Sequence, residues 1–288
     1  GMQWQTFVED NAVSLCIHMD EYIDGLKEKS LKIKGESDRP LDAEELAQYR
    51  SSQTKARRPE NRVAPELAYG VSALAQLNTN TVREVTVNHA MELDKLVQRL
   101  KMLKDSGGAR LNLRKLNLER LVCLTYFDAS FAQEEGMKSQ CGMFSLLTDQ
   151  DVVNRQVLGD LVEYESSTIR RVVRSTMAAE SAALSKSLDR QLYLRLMVET
   201  LLYGQPELQD KDWRTALRIP GILVTDAKSL YDNLQNDGSL PAERQTLLDV
   251  LVAKDLIEQK CISIRWLPNA HQFADFLAKP EVVTPNLQ

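Results

Sequence analysis

The sequence predicts a mostly helical stretch followed by a layered α+β or α/β domain with the element order β-β-β-α-β-α-α-β-α. Three observations carry that expectation. Up to about residue 110, apolar residues recur at helical spacing. Beyond it, three apolar runs follow one another with turn residues between them. After those runs helical and strand patterns alternate, the arrangement by which helices come to cover a sheet.

Residues 4–34 read as a short strand, a turn and a helix. Val13–Ile17 is rich in β-formers, and Asp20–Lys29 carries Tyr22, Ile23 and Leu26 on one face. Gly35–Pro40 is a polar turn. Leu41–Tyr49 is predicted helical, with Asp42 at its start and Glu44 and Glu45 in its first turn, where the helix dipole favours acids. Residues 50–64 are polar and basic and are expected to form a loop. Pro65 suits the first position of the next helix, where its missing N–H costs nothing. Leu67, Val71, Leu74 and Leu77 continue that helix, and Asn78–Thr81 breaks it. A longer helix is predicted over about 84–105, with Leu93, Leu96, Val97, Leu100 and Leu103 as its apolar stripe and Gly107-Gly108 as its stop.

Leu121–Tyr126 is a continuous apolar run, as in a buried strand. Ser139–Leu147 and Val157–Ser166 are the next two strands, with Gly136 and Asp149–Asn154 in the turns of an antiparallel meander. A long helix follows over about 176–202, carrying Ala179, Ala183, Leu184, Leu188, Leu192, Leu196 and Leu201. Pro206–Trp213 is expected to be a loop. Then come a strand over Ile219–Thr225, a short helix over Asp226–Leu234, a helix over Pro241–Gln259, a strand over Cys261–Leu267 and a last helix over about 271–279.

Composition narrows the function classes. With 288 residues, 43% apolar and 27% charged, the chain can bury one large core or two of medium size. The apolar runs are short, as at Leu121–Leu124, so no membrane span or secretory signal is expected. Four scattered cysteines without a Cys-x-x-Cys pair argue against a disulfide framework or a zinc knuckle, and fit a reducing compartment. With His18, His89 and His271 as the only histidines and no Gly-x-Ser-x-Gly, no nucleophilic triad can be composed. Gly107-Gly108 lacks the Lys-Ser/Thr of a phosphate loop.

The net charge of −5 speaks against a broad basic surface. Residues 1–120 hold 19 Lys/Arg against 18 Asp/Glu, and residues 121–288 hold 17 against 23, so the acidic excess lies in the C-terminal part. Two local basic patches stand out: Arg50, Lys55, Arg57, Arg58 and Arg62, and Arg170, Arg171 and Arg174.

Four acids fall at element ends. Asp128 follows the first strand of the meander, Glu180 lies in the first turns of the long helix, Asp226 ends the fourth strand and Asp275 lies in the final helix. Singly, each has a plain structural reading as a cap, a dipole partner or a turn residue. Together, four acids sharing one cleft would need cations, and hard oxygen ligands of this kind suit Mg²⁺ or Mn²⁺.

The motifs around these acids are Asp128-Ala129-Ser130, Ser175-Thr176-Met177-Ala178-Ala179-Glu180, Thr225-Asp226 and Ala274-Asp275-Phe276-Leu277-Ala278-Lys279. In order and spacing they resemble the RNase H domain of copia-type LTR-retrotransposon polyproteins. Leu41–Ser51 and Arg62–Ser72 resemble the segment between the polymerase palm and RNase H in the same polyproteins. The resemblance implies a thumb- or connection-like segment over 1–118 and an RNase H-like domain over 119–288, built on a five-stranded mixed sheet. No Tyr-x-Asp-Asp polymerase motif is present, so the palm is missing.

The resemblance also implies a mechanism. Two Mg²⁺ or Mn²⁺ ions would activate a water and stabilise the departing 3′ oxygen as the RNA strand of an RNA–DNA hybrid is cut. Asp128 would bridge both ions, Glu180 and Asp226 would complete one site, and Asp275 the other. Ser130, Arg170, Arg171 and Arg174 would contact the substrate, and His271 is the candidate for an auxiliary role. Implied partners are the hybrid and the missing palm and fingers, or a second subunit, and no membrane. Implied localisation is intracellular: cytoplasm, nucleus or a virus-like particle. The alternative is a catalytically inert RNase H-like module that binds nucleic acid or scaffolds.

Overall fold

The computed structural model describes residues 1–9, 12–26, 33, 35–77, 84–134, 137–152, 158–204, 213–236 and 241–279. The chain divides at Lys115/Leu116 into two units, each with its own core.

The first unit is less purely helical than its sequence predicts. Strands β1 (Gln3–Glu9), β2 (Ala12–His18) and β3 (Arg110–Leu113) form an antiparallel sheet in that order. Of these only the Val13–Ile17 part of β2 was expected. β1 escapes prediction because it buries no face: Trp4 and Val8 are 71% and 70% exposed. A short helix, α1 (Asp20–Asp24), follows β2.

The largest departure is α2, Ala43–Val63, a single 21-residue helix where a loop was expected from residue 50. Its buried stripe is Tyr49, Ser52, Gln53, Ala56, Pro59, Glu60 and Val63. That is helical spacing, but largely in polar residues, so hydrophobicity hides it. Asp42 and Glu45 form a capping box at its start. Pro59 lacks the N–H that would bond to the Lys55 carbonyl. The Tyr22 hydroxyl donates to that carbonyl instead, at 3.3 Å.

A 3-10 turn over Pro65–Leu67 leads into α3 (Ala68–Leu77), and α4 (Val87–Asp105) completes the unit. The expected break at Asn78–Thr81 lies outside the described residues. At the start of α4, His89 Nδ1 accepts the Thr86 N–H at 3.0 Å, so this histidine is a cap. Gly107, at φ +79°, turns the chain out of the helix. Ile23, Tyr49, Val63, Leu93 and Leu100 lie at the centre of this core, none of them exposed to solvent.

The second unit follows the expected order of elements. β4 (Val122–Glu134), β5 (Lys138–Thr148) and β6 (Asp160–Thr168) form the antiparallel meander. Then come α5 (Thr176–Tyr203), β7 (Gly221–Thr225), α6 (Lys228–Gln235), α7 (Arg244–Glu258), β8 (Ser263–Trp266) and α8 (Asp275–Ala278). Strand order is β6-β5-β4-β7-β8, with β7 parallel to both β4 and β8. This five-stranded mixed sheet with its helices is the RNase H-like fold that the motifs implied.

The expected loop at Pro206–Trp213 falls mostly outside the described residues. The expected helix over 271–279 is broken into a 3-10 turn, Asn269–His271, and α8. The break turns Gln272 inward, where its amide donates to the Phe127 carbonyl at 2.9 Å.

The core lies between the sheet and α5, α6 and α7, with Phe127, Met143, Leu184, Leu223, Val250 and Ile264 at its centre. A polar ladder on α5 pins that helix to the sheet. Gln191 Nε2 donates to Thr125 Oγ1 and the Ile222 carbonyl, each at 3.0 Å. Arg195 donates to the Ile219 and Cys261 carbonyls at 2.7 and 2.8 Å. Gly221 makes room for both side chains: a Cβ there would lie 2.6 Å from Gln191 Oε1 and 2.7 Å from Arg195 Nη1. The four cysteines are free and buried.

Candidate metal centre

β4 and β7 run parallel and adjacent, so their C-terminal ends open on the same edge of the sheet. Asp128 lies inside β4 rather than after it as expected, because β4 runs on past Tyr126, its last residue paired to β7, along β5; Asp226 directly follows β7. Asp275 opens α8.

Asp128, Asp226 and Asp275 each bring a carboxylate oxygen within 4.8 Å of the other two. Glu180, one turn into α5, stands beside this trio. Its carboxylate accepts the Ala129 N–H and feels the charges of Asp128 and Asp226. The structure thus draws the four predicted acids to one place.

Close packing of α8 makes this possible. Gly142 on β5 pairs with Asp128. A Cβ at Gly142 would meet Leu277 Cβ at 2.7 Å, and the Ala274 carbonyl and Ala278 N at 2.8 Å. The missing side chain lets α8 lie directly on the sheet, which carries Asp275 to Asp128.

Burial dominates the electrostatics. It pushes the Asp128 carboxyl up to about 7; the Lys279 ammonium opposes the rise, and Asp275 and Asp226 add to it. Glu180 is raised well above the usual carboxylate range by burial, then by Asp128 and Asp226. Asp128 Oδ2 and Glu180 Oε2 are buried without a hydrogen bond. Converging carboxylate oxygens, with one on Glu180 buried and without a donor, fit a hard divalent cation.

Two further side chains of the site have no role in the sequence-based expectation. Lys279 Nζ lies 3.1 Å from Asp128 Oδ2, an ion pair not aligned as a hydrogen bond, and 2.9 Å from Asp275 Oδ1. Gln272 reaches Asp226 Oδ1 at 3.4 Å besides the Phe127 carbonyl. The i,i+4 spacing of Asp275 and Lys279 is visible in the sequence, but the approach to Asp128 depends on the fold.

The other predicted residues are placed differently. Ser130 is buried, and its hydroxyl accepts the Gln140 N–H at 3.3 Å. Arg171 pairs with Asp249 of α7, while Arg170 and Arg174 are exposed on the approach to α5. His271 is exposed on the 3-10 turn before Asp275. The first basic patch lies along α2, with Arg50, Lys55, Arg57, Arg58 and Arg62 all exposed.

No family model and no curated protein matches the chain. Several solved structures do. The N-terminal RNase H domain of a Mycobacterium tuberculosis protein, solved as a fusion with maltose-binding protein, is 17% identical; the match covers 55% of this chain and 91% of that one, with a TM-score of 0.32. RNase H1 from Halobacterium salinarum is 19% identical over 54% of this chain and 93% of that one, with a TM-score of 0.32. The foamy viral protease-reverse transcriptase in complex with RNA/DNA hybrid is 12% identical over 97% of this chain but 31% of that one, with a TM-score of 0.42. Among the described residues no helix is long and apolar enough to cross a membrane.

Proposed function

We propose that the second unit is a divalent-metal-dependent ribonuclease H that cuts the RNA strand of RNA–DNA hybrids. In this reading the chain is part of a copia-type retrotransposon reverse transcriptase, or of a gene derived from one, and acts within the cell alongside polymerase palm and fingers or a second subunit. The observation that carries the activity is the convergence of Asp128, Asp226 and Asp275 beside a buried, unpartnered Glu180 oxygen.

Asp128, Glu180, Asp226 and Asp275 would hold the metal, with Asp128 shared between a Glu180–Asp226 side and an Asp275 side. Two Mg²⁺ or Mn²⁺ ions held there would supply an activated water and neutralise charge on the departing 3′ oxygen. The protein's own groups position the strand. Arg170 and Arg174, exposed at the entrance to α5, neutralise phosphates without reading sequence. Arg171 is committed to Asp249, so its contribution is to hold that entrance against α7. Ser130 orders the β4–β5 pairing beside the ligands through Gln140. His271, exposed on the 3-10 turn before α8, would take the auxiliary proton or product-release role. The exposed cations of α2 give the first unit a face for duplex phosphates.

A labelled RNA–DNA hybrid incubated with the full chain should be cleaved in Mg²⁺ and left intact in EDTA. Asp226→Asn should abolish cleavage while leaving the circular dichroism spectrum unchanged. Full activity in that variant would remove the metal-site assignment.

One observation favours the inert alternative: Lys279 already supplies a positive charge to Asp128 and Asp275. An inert module would need no further cation. It would leave the hybrid uncut and take up no divalent metal.

A further inference from the structure

The geometry points to Lys279 as a tethered cation seated in one of the two cation positions of the carboxylate cluster, so that divalent metal fills the cluster in two unequal steps. This rests on reading the cluster as a metal centre. The ammonium bridges Asp128 and Asp275, at 3.1 and 2.9 Å, which is the side of Asp128 that Asp275 completes. It is anchored through α8, where the Lys279 N–H donates to the Asp275 carbonyl at 2.8 Å.

Across Asp128 from this ion pair, Glu180 is placed differently. Glu180 is 5% exposed, its Oε2 has no hydrogen-bond donor, and among the described residues no lysine or arginine pairs with it. The cluster is therefore lopsided: Lys279 bridges Asp128 and Asp275, while the Glu180 oxygen lies buried without a donor. Four ionised carboxylates balance two divalent ions without the lysine, and are overshot by one charge with it.

The first ion therefore enters on the Glu180–Asp226 side with little rearrangement. The second must displace the ammonium. The Lys279 side chain is 28% exposed on a flexible stem, so it can swing into solvent, where an ammonium is strongly hydrated. Lys279 thereby acts as a positioning residue. It keeps Asp128 and Asp275 together before the metal arrives and sets the concentration at which the second ion loads.

The test is an Mn²⁺ titration of the full chain, with free Mn²⁺ read by electron paramagnetic resonance. The wild type should bind its first ion at least about tenfold more tightly than its second, and Lys279→Met should tighten the second step by a similar factor. Lys279→Arg keeps the charge, serves as the folded control and should retain the unequal steps. Two equal steps in the wild type, or a second step unchanged in Lys279→Met, would overturn the assignment while leaving the nuclease reading intact. No Mn²⁺ uptake by wild type or variants would remove the metal centre itself, and the role of Lys279 with it.

Discussion

Asp128 holds its proton to about pH 7 in the folded, metal-free chain, chiefly because it is buried. In the unfolded chain it would release that proton near 4. The folded state therefore binds more protons between these limits, and stability falls as pH rises from about 4 to about 7. A divalent ion favours the ionised form and reverses the trend. Thermal unfolding in EDTA and in Mg²⁺ at several pH values checks this. The gain in Tm from Mg²⁺ should be larger at pH 8 than at pH 5, and an equal gain at both would contradict it. Asp128, expected just past a strand, lies inside β4, but the positions of Glu180, Asp226 and Asp275 near element ends are visible in the sequence. The Asp128–Lys279 ion pair is not, because no local pattern encodes which distant side chain a strand end will meet. Arg171 illustrates the same limit: its run of cations reads as a phosphate patch, and only the fold reveals Asp249 beside it.

Among the elements, α8 is short, and its place on the sheet depends on Gly142. A methyl group there meets backbone atoms at 2.8 Å, with no flexible side chain to yield. Gly142→Ala should cost about 1–3 kcal/mol, as overpacking does, and should weaken metal binding by moving Asp275 and Lys279 off the strand. Denaturant unfolding and an Mn²⁺ titration of the same variant measure the two effects. A variant with wild-type stability and affinity would show that α8 tolerates the shift. The elements of the second unit are legible because their cores are apolar and their periods clear. α2 is illegible past residue 50 because Ser52, Gln53, Pro59 and Glu60 fill its buried stripe. β1 is illegible for the opposite reason, its apolar residues Trp4 and Val8 being left in solvent.

At the scale of the whole molecule, charge is divided unevenly. Residues 1–120 carry a near balance and residues 121–288 the acidic excess. The exposed cations of α2 should therefore carry much of the chain's ionic attraction to a duplex. Replacing Arg57 and Arg62 by Gln should lower the slope of log affinity against log salt by about 1 for each phosphate that is no longer neutralised. Binding to a labelled hybrid across a salt series measures it, and an unchanged slope would place α2 outside the interface. The thiols offer a second molecule-wide readout. Cys16 belongs to the first unit and Cys123, Cys141 and Cys261 to the second, with burial pushing Cys123 and Cys141 up to about 12. Sealed in the cores, all four resist alkylation until the backbone around them opens. Mass spectrometry of chains alkylated in rising urea would then count openings: one label first means that the amino-terminal half melts alone, three first that its neighbour does, and four at once that they melt together.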